Sequence, residues 1–445
     1  MIIIRLLSLS LKSVSQLRTV LRTIFRIYTL VLTQGQICYF YSNRLLLRDS
    51  IIIDFFQYWL TLICAIILLV SFYGSYENLT IGNPSILKAC LILNLGLVIT
   101  LLGTRKIFYF FIIFEVSVLP IFIIILGWGY QPEKINAAYA LFFFTVVLAA
   151  PLVVILLLSF SYRLNLDRSF LDGKLRLRYY RSTQGILILA GFLVKMPLYG
   201  VHFWLPLAHV EAPVYGSMIL AGILLKLGGI GMLRFFSYLR SLRLNNFLAL
   251  VRLFGMLLVG RGCLFITDLK KIIAFSSIAH IGLAISLLVF KFHLGVWVAY
   301  LILIVHAFRS SAIFFVVYYF YLITNSRNLL INIGLLRLHP IIRFFWLMAI
   351  IARLGAPPAI NLLAEIWALI VRFIILFKYS LIIISSFILG SIYHFILYST
   401  IIQGVTLWQS INLSPKSFSI GVYIVSRYHR VVTFSLVRLI RWFII

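Results

Sequence analysis

Residues 191–213 read Gly-Phe-Leu-Val-Lys-Met-Pro-Leu-Tyr-Gly-Val-His-Phe-Trp-Leu-Pro-Leu-Ala-His-Val-Glu-Ala-Pro. The run is apolar enough for hydrocarbon, yet it carries Lys195, His202, His209 and Glu211 and is punctuated by Pro197, Pro206 and Pro213. A proline inside a helix removes one backbone donor and clashes with the preceding turn, so this is a helical segment that breaks beside ionisable groups. Such breaks are tolerated at membrane depth only where the freed backbone groups face protein or a water-lined path.

A second stretch repeats the combination about 160 residues later, from Arg353 through Pro357 and Pro358 to Glu365. Paired breaks in two halves of a membrane chain point to inverted repeats around an ion path. The competing reading is prolines that only kink structural helices. The surroundings make the chain a membrane protein. Of its 445 residues, 63% are hydrophobic and 11% charged, and the mean hydropathy is +1.11. Apolar runs recur at 51–72, 107–127, 137–160, 184–205, 270–290 and 380–402, each long enough to cross about 30 Å of hydrocarbon. The same length criterion predicts an all-α integral membrane fold with about 12–14 crossings. No soluble domain interrupts the spans, so the domains read as a basic segment or first helix over 1–50 and one polytopic domain over 51–445.

The net charge of +29 would suggest nucleic acid in a soluble protein. Here the basic residues cluster mostly between spans and at the ends, which favours lipid phosphates and excludes a nucleic-acid partner. Arg163, Arg168, Lys174, Arg176, Arg178 and Arg181 form the densest loop. It reads as a solvated loop that sets topology, with an anionic-lipid site, cardiolipin being the candidate, as the alternative. Residues 1–33 are basic, contain Ser and Thr and lack acids. That composition fits a mitochondrial transit peptide or a retained first helix, and the apolar content favours retention.

Cys38, Cys64, Cys90 and Cys263 are far apart and form no CxxC pair, which argues against an iron–sulfur cluster or structural zinc. No GxGxxG, Walker loop or HExxH is present, so no cofactor or metal site is expected in this chain. Any redox chemistry belongs to partners.

Most of the ten acidic residues lie at span ends or in loops. Glu115, Glu211 and Glu365 do not, and Lys195 and Lys226 are equally out of place. An unpaired charge inside a span costs ~3 kcal/mol or more on insertion scales. Burial disfavours the charged form of any such group and an opposite charge restores it, so a pair that breaks and re-forms gives each member two proton affinities. His202, His209, His280 and His306 titrate near neutrality and are candidate relays, although a histidine in an apolar helix is more often simply hydrogen-bonded. Ser217, Gly222, Gly228, Gly229 and Gly231 share a helix with Lys226 and are explained by close helix packing.

Residues 191–213, continuing through Gly216-Ser217-Met218 to Lys226-Leu-Gly-Gly, are very similar to the hallmark of the antiporter-like membrane subunits of respiratory NADH:ubiquinone oxidoreductase, complex I. Supporting matches are Phe114-Glu115 with Leu119-Pro120, Trp128 through Glu133, Thr267 through His280, and Ala356 through Glu365. The resemblance covers about 90–400. It implies an antiporter-like bundle with two inverted five-helix repeats and two broken helices, in the mitochondrial inner membrane. It further implies that Glu115 and Lys195 form the charged pair of the first repeat, that Lys226 leads to the second, that His280 and His306 connect, and that Glu365 is the exit group. Glutamate rather than lysine at 365 distinguishes one member among its sisters.

The implied function is proton translocation driven by electron transfer from NADH to ubiquinone, with NADH, FMN, iron–sulfur clusters and ubiquinone bound by other subunits. The implied partners are other complex I membrane subunits, especially the sister antiporter-like chains 2 and 5. A cation/proton antiporter subunit of the same fold and a spacer that moves no ion are the alternatives. The chain departs from the family at Leu207, where lysine is usual, and at Arg252, Arg261, Arg309 and Arg353, where uncharged residues are usual. With only 6 methionines and abundant isoleucine, some of these arginines are expected to stand at reassigned codons read as serine.

Overall fold

The computed structural model describes 84–104, 107–161, 182–234, 242–289, 293–357, 359–375 and 380–403, together with scattered helical positions between 60 and 71. The segment 1–33, the basic loop at 163–181, Cys38 and Pro358 lie outside the described residues. The described helices are α1 (Pro84–Gly103), α2 (Ile107–Val116), α3 (Leu119–Trp128), α4 (Lys134–Ser161), α5 (Ser182–Lys195), α6 (Trp204–Glu211) and α7 (Val214–Ile219). A π-helical turn, Leu220–Leu224, joins α7 to α8 (Leu225–Arg234). The rest are α9 (Leu242–Cys263), α10 (Leu269–Val289), α11 (His293–Thr324), α12 (Pro340–Leu354), α13 (Ile360–Ile375) and α14 (Ser380–Ile402).

Among the described residues, 7 segments are long and apolar enough to span a bilayer. Two of them, Val214–Arg234 and Leu294–Thr324, are 94% buried, whereas Leu381–Ile402 is 28% buried. The first two are therefore the interior of the bundle and α14 is its flank. The apolar run 184–205 is not one continuous helix: it stops at Lys195 and resumes at Trp204.

The reason is local. Pro197 has no N–H for the Leu193 carbonyl, so Leu198 donates there instead at 3.0 Å. That would strand the Val194 carbonyl, which the Trp204 indole N–H reaches at 3.2 Å. Gly200 completes the turn at φ 99, a conformation that disfavours a side chain. The second break follows the same logic. Gly355 ends α12 at φ 65 and Ala356 donates back to the Ile351 carbonyl at 3.3 Å, and α13 begins past the prolines.

Glycines draw the interior helices together. A Cβ at Gly228 would sit 2.6 Å from Met196 Cγ and 3.1 Å from the Phe192 carbonyl oxygen, and one at Gly231 would sit 2.2 Å from the Phe192 ring. A Cβ at Gly229 would sit 2.8 Å from Leu303 Cδ1. Helix α8 is thus wedged between α5 and α11, which brings the elements carrying Lys195, Lys226 and His306 into contact. Gly228→Ala is expected to destabilise the chain by about 1–3 kcal/mol through overpacking. Gly262→Ala, which meets nothing within 4 Å, is expected to be silent. Thermal inactivation of membranes carrying each variant measures the difference.

Candidate functional site

The first charged pair sits where two helices pause. α2 ends just past Glu115, and Lys195 is the last residue of α5. Lys195 Nζ lies 3.5 Å from Glu115 Oε1. It also donates to the Phe114 carbonyl and stands 3.3 Å from the centre of the Phe114 ring. The ammonium therefore has two sets of partners: a carboxylate on one side, and an aromatic face with a backbone oxygen on the other. Among the described residues neither Glu115 oxygen makes a hydrogen bond of good geometry, so charge rather than directional bonding holds the pair.

Lys226 is fully buried, and among the described residues no carboxylate forms an ion pair with it. Its Nζ donates to the Ala221 carbonyl in the π turn and lies 2.8 Å from His306 Nδ1 on α11. The π turn shapes this contact, because widening one turn leaves a carbonyl available to the lysine that follows. The His306 ring lies 6.3 Å from the His280 ring, centre to centre. His280 Nδ1 is in turn 3.7 Å from Glu365 Oε1. Asn361, one helical turn before Glu365, donates to the same oxygen at 2.6 Å. Glu365 Oε2 occupies the space where a Cβ at Gly355 would lie, 2.6 Å away. The break glycine therefore seats the carboxylate.

These contacts bring together Lys226, His306, His280 and Glu365 in one row, and Glu115 with Lys195 at the adjoining break. Among the described residues no hydrogen bond joins Lys195 to Lys226; their helices meet through the glycine face. Within the row, one step is at hydrogen-bond distance and the others need a bridging water or a small side-chain swing. Nitrogen and oxygen atoms placed in such a row are chemically able to pass protons by successive transfers.

His202 and His209 lie apart from it. His202 accepts from the Gly200 N–H at 3.2 Å within the first break and stacks on Phe203 at 4.6 Å. His209 stacks on Phe314 at 4.8 Å. Glu211 belongs to a separate clasp at the α6–α7 break. Arg327 Nη1 is 3.4 Å from Glu211 Oε1 and 2.7 Å from the Val210 carbonyl. Lys270 Nζ donates to the carbonyls of Val210 and Ala212 at 3.2 and 3.0 Å. Two cations therefore satisfy the carbonyls freed at the end of α6.

Sequence reasoning passed over Asn361, although its four-residue spacing from Glu365 was a usable signal. Arg327 joins Glu211 across 116 residues and carried none. The arginine departures are buried except for Arg261. Arg309 Nη1 reaches the Ala352 and Arg353 carbonyls at 3.4 Å each, and Arg353 donates to Ser276 Oγ. Among the described residues, no side-chain nitrogen of Arg252 has a hydrogen-bond partner.

Comparison with known proteins identifies the family of the chain. The family model for the transmembrane region of NADH:quinone oxidoreductase and Mrp antiporters matches residues 104–393. The chain is 38% identical over 339 residues to NADH-ubiquinone oxidoreductase chain 4 of Ceratitis capitata, covering 74% of this chain and 72% of that one. It is 34% identical to the protein of the same name from Locusta migratoria, covering 74% of each. Its fold is similar to a chain of respiratory complex I from Thermus thermophilus, with a TM-score of 0.69 at 17% identity over 83% of this chain and 79% of that one. It is also similar to a chain of the Mrp complex from Dietzia sp. DQ12-45-1b, with a TM-score of 0.68 at 18% identity over 80% and 66%. The broken helices and the buried row both lie within the matched region, and the chain belongs to the NADH:quinone oxidoreductase/Mrp antiporter transmembrane family.

Proposed function

We propose that this chain is a core membrane-arm subunit of a respiratory NADH:ubiquinone oxidoreductase, and that it translocates protons across the mitochondrial inner membrane. The observation that carries the reading is the run from Lys226 through His306 and His280 to Glu365. In this reading Glu115 and Lys195 gate the first half of the path, Lys226 hands over to the histidines, and Glu365 releases. Electron transfer from NADH to ubiquinone takes place in other subunits, which bind NADH, FMN, the iron–sulfur clusters and the quinone. The sister antiporter-like chains 2 and 5 and anionic lipid, cardiolipin among them, are the proposed neighbours.

The mechanism follows from the two partner sets of Lys195. With Glu115 ionised, the ammonium is shared between the carboxylate and the Phe114 face. Protonation of Glu115 removes the opposite charge, and the lysine then depends on the ring and one carbonyl, which hold a cation less strongly. Its proton is released toward the α8 side. Lys226 has no counter-ion and rests on a carbonyl and an imidazole, so an arriving charge is passed on to His306. Glu365 accepts it beside Asn361, whose amide holds the carboxylate in place while it changes charge.

A cation/proton antiporter subunit is the second reading, favoured by the likeness to the Mrp chain. That likeness speaks to fold alone, whereas several relatives named chain 4 of the oxidoreductase are 34–40% identical. Co-purification separates the two. Recovery with flavin- and quinone-binding subunits supports the oxidoreductase, and recovery without them, with sodium-dependent proton flux, supports the antiporter.

Lys195→Met is expected to lower coupled quinone reduction and proton uptake while NADH oxidation by an artificial acceptor continues. Glu115→Gln strands the buried lysine at ~3 to 5 kcal/mol. The double variant Glu115→Gln with Lys195→Met should therefore assemble better than either single one, as immunoblots of native gels would record. Glu365→Gln keeps the bond to Asn361 but cannot ionise, so the complex should assemble while its proton-to-electron ratio falls. Glu365→Asp should retain part of the activity. An unchanged ratio in Glu365→Gln vesicles would remove Glu365 from the path.

The arginines bear a further expectation. A buried guanidinium without partners costs several kcal/mol, and Arg252 has none on any nitrogen. Serines in the neighbouring turns instead bond their own helix, as Ser311 does with the Ala307 carbonyl at 3.0 Å. Serine is the expected residue of the native protein at some of positions 252, 261, 309 and 353, with 252 the strongest case. Mass spectrometry of the native peptides spanning these positions tests this directly, and arginine at all of them would end the idea.

A further inference from the structure

His394 lies on α14, outside every role given so far. It is 1% exposed, and its Nδ1 is 2.7 Å from the Gly390 carbonyl oxygen one turn earlier. A carbonyl only accepts, so Nδ1 carries the hydrogen and Nε2 presents a bare lone pair. That Nε2 is buried and has no hydrogen-bond partner among the described residues. Leaving that acceptor unpaired in an apolar interior costs about 1–3 kcal/mol.

The ring does not stand alone. Its centre is 6.4 Å from that of His280, with 38° between the planes. The step from His306 to His280 is 6.3 Å. His280 thus stands between two imidazoles at nearly equal separations, with Glu365 as its third neighbour at 3.7 Å. Tyr393 packs beside the His394 ring at 4.3 Å.

We propose that the polar row forks at His280 and that His394 is a second proton acceptor, parallel to Glu365, on the α14 flank of the subunit. The proposal rests on the reading that the row carries protons. In the transfer, an N–H bond of protonated His280 breaks, one intervening water takes that proton and gives up another, and an N–H bond forms at His394 Nε2. No electrons change hands. The Nδ1–H bond to Gly390 persists throughout, so the ring holds its orientation while it becomes a cation, and loss of the Nε2 proton to water on the α14 flank restores the neutral ring.

The test uses the intact complex in sealed vesicles, with assembly, NADH oxidation by an artificial acceptor and proton uptake read separately. His394→Gln and His394→Ser cannot titrate; His394→Glu can. Both non-titrating variants should assemble and oxidise NADH normally while coupled proton uptake falls at least about twofold. That floor is well below the 10²–10⁴ lost when a sole proton-transfer partner is removed, because Glu365 still provides the other branch. His394→Glu should recover part of the loss, which a purely structural role would not allow. Parent-like uptake in the Gln and Ser variants overturns the proposal. So does equal loss in all three variants, or failure of both non-titrating variants to assemble, since each marks His394 as a packing residue. Lys226→Met and Glu365→Gln run alongside: if they too pump normally, the row itself fails, a result distinct from failure of the branch alone.

Discussion

Everything in this bundle depends on finding a donor for each backbone carbonyl released where a helix breaks. Water can do this at a protein surface, but an apolar interior cannot, and an orphaned carbonyl there costs as much as the bond it lost. The structure meets the demand with side chains brought from other helices. The Trp204 indole takes up Val194, Lys270 and Arg327 take up Val210 and Ala212, and Asn361 reaches the Arg353 carbonyl at 3.5 Å. Each broken helix is consequently tied to a distant part of the chain, and the breaks are as well defined as the helices around them.

The same requirement explains why the buried cations outnumber the buried carboxylates. Lys270 is held by carbonyls rather than by a direct bond to an acid, and Lys226 by one carbonyl and one imidazole. Partial negative charges on oxygen take the place of full counter-ions. A cation solvated this way is not locked into a strong pair, whose separation in a poorly polarisable interior would be costly. Glu115 and Glu365 supply the full negative charges at the two breaks. Glu365 is fixed by Asn361 and by the space over Gly355, whereas Glu115 lacks good hydrogen bonds, so the two ends of the row differ in stiffness.

Much of this was legible in the sequence, because membrane solvation makes anomalies conspicuous. A carboxylate or lysine in an apolar run, or a proline beside one, has few innocent explanations; Glu115, Lys195, Lys226, Glu365 and both breaks announced themselves on those grounds. The histidines were harder. His202, His209, His280 and His306 look alike in sequence, and only packing separates the two that stack on aromatic rings from the two that face each other. The clasp of Arg327, Lys270 and Glu211 could not be read: Glu211 stood out, but its two cations come from distant segments and lie near span ends, where cations are common. The π turn left no trace either, because its five apolar residues fit an α-helix equally well.

That turn has a consequence for insertions and deletions in this part of the chain. It holds one residue more than an α-turn, so everything after it is offset by about 100° about the helix axis from where an uninterrupted helix would place it. Lys226 faces His306, and Gly228 and Gly231 face Phe192, only with that offset in force. Removing any one of residues 220–224 would restore an ordinary α-helix that turns through the same angle with one residue fewer, so the lysine would still face His306. Adding one apolar residue beyond the turn, where no second wide turn absorbs it, would do the opposite: it would turn the lysine off His306 and swing bulkier neighbours toward α5. The bundle would then lose its polar connection through a change that leaves its hydrophobicity untouched, as a key with one spacer too many still enters the lock and fails to turn it.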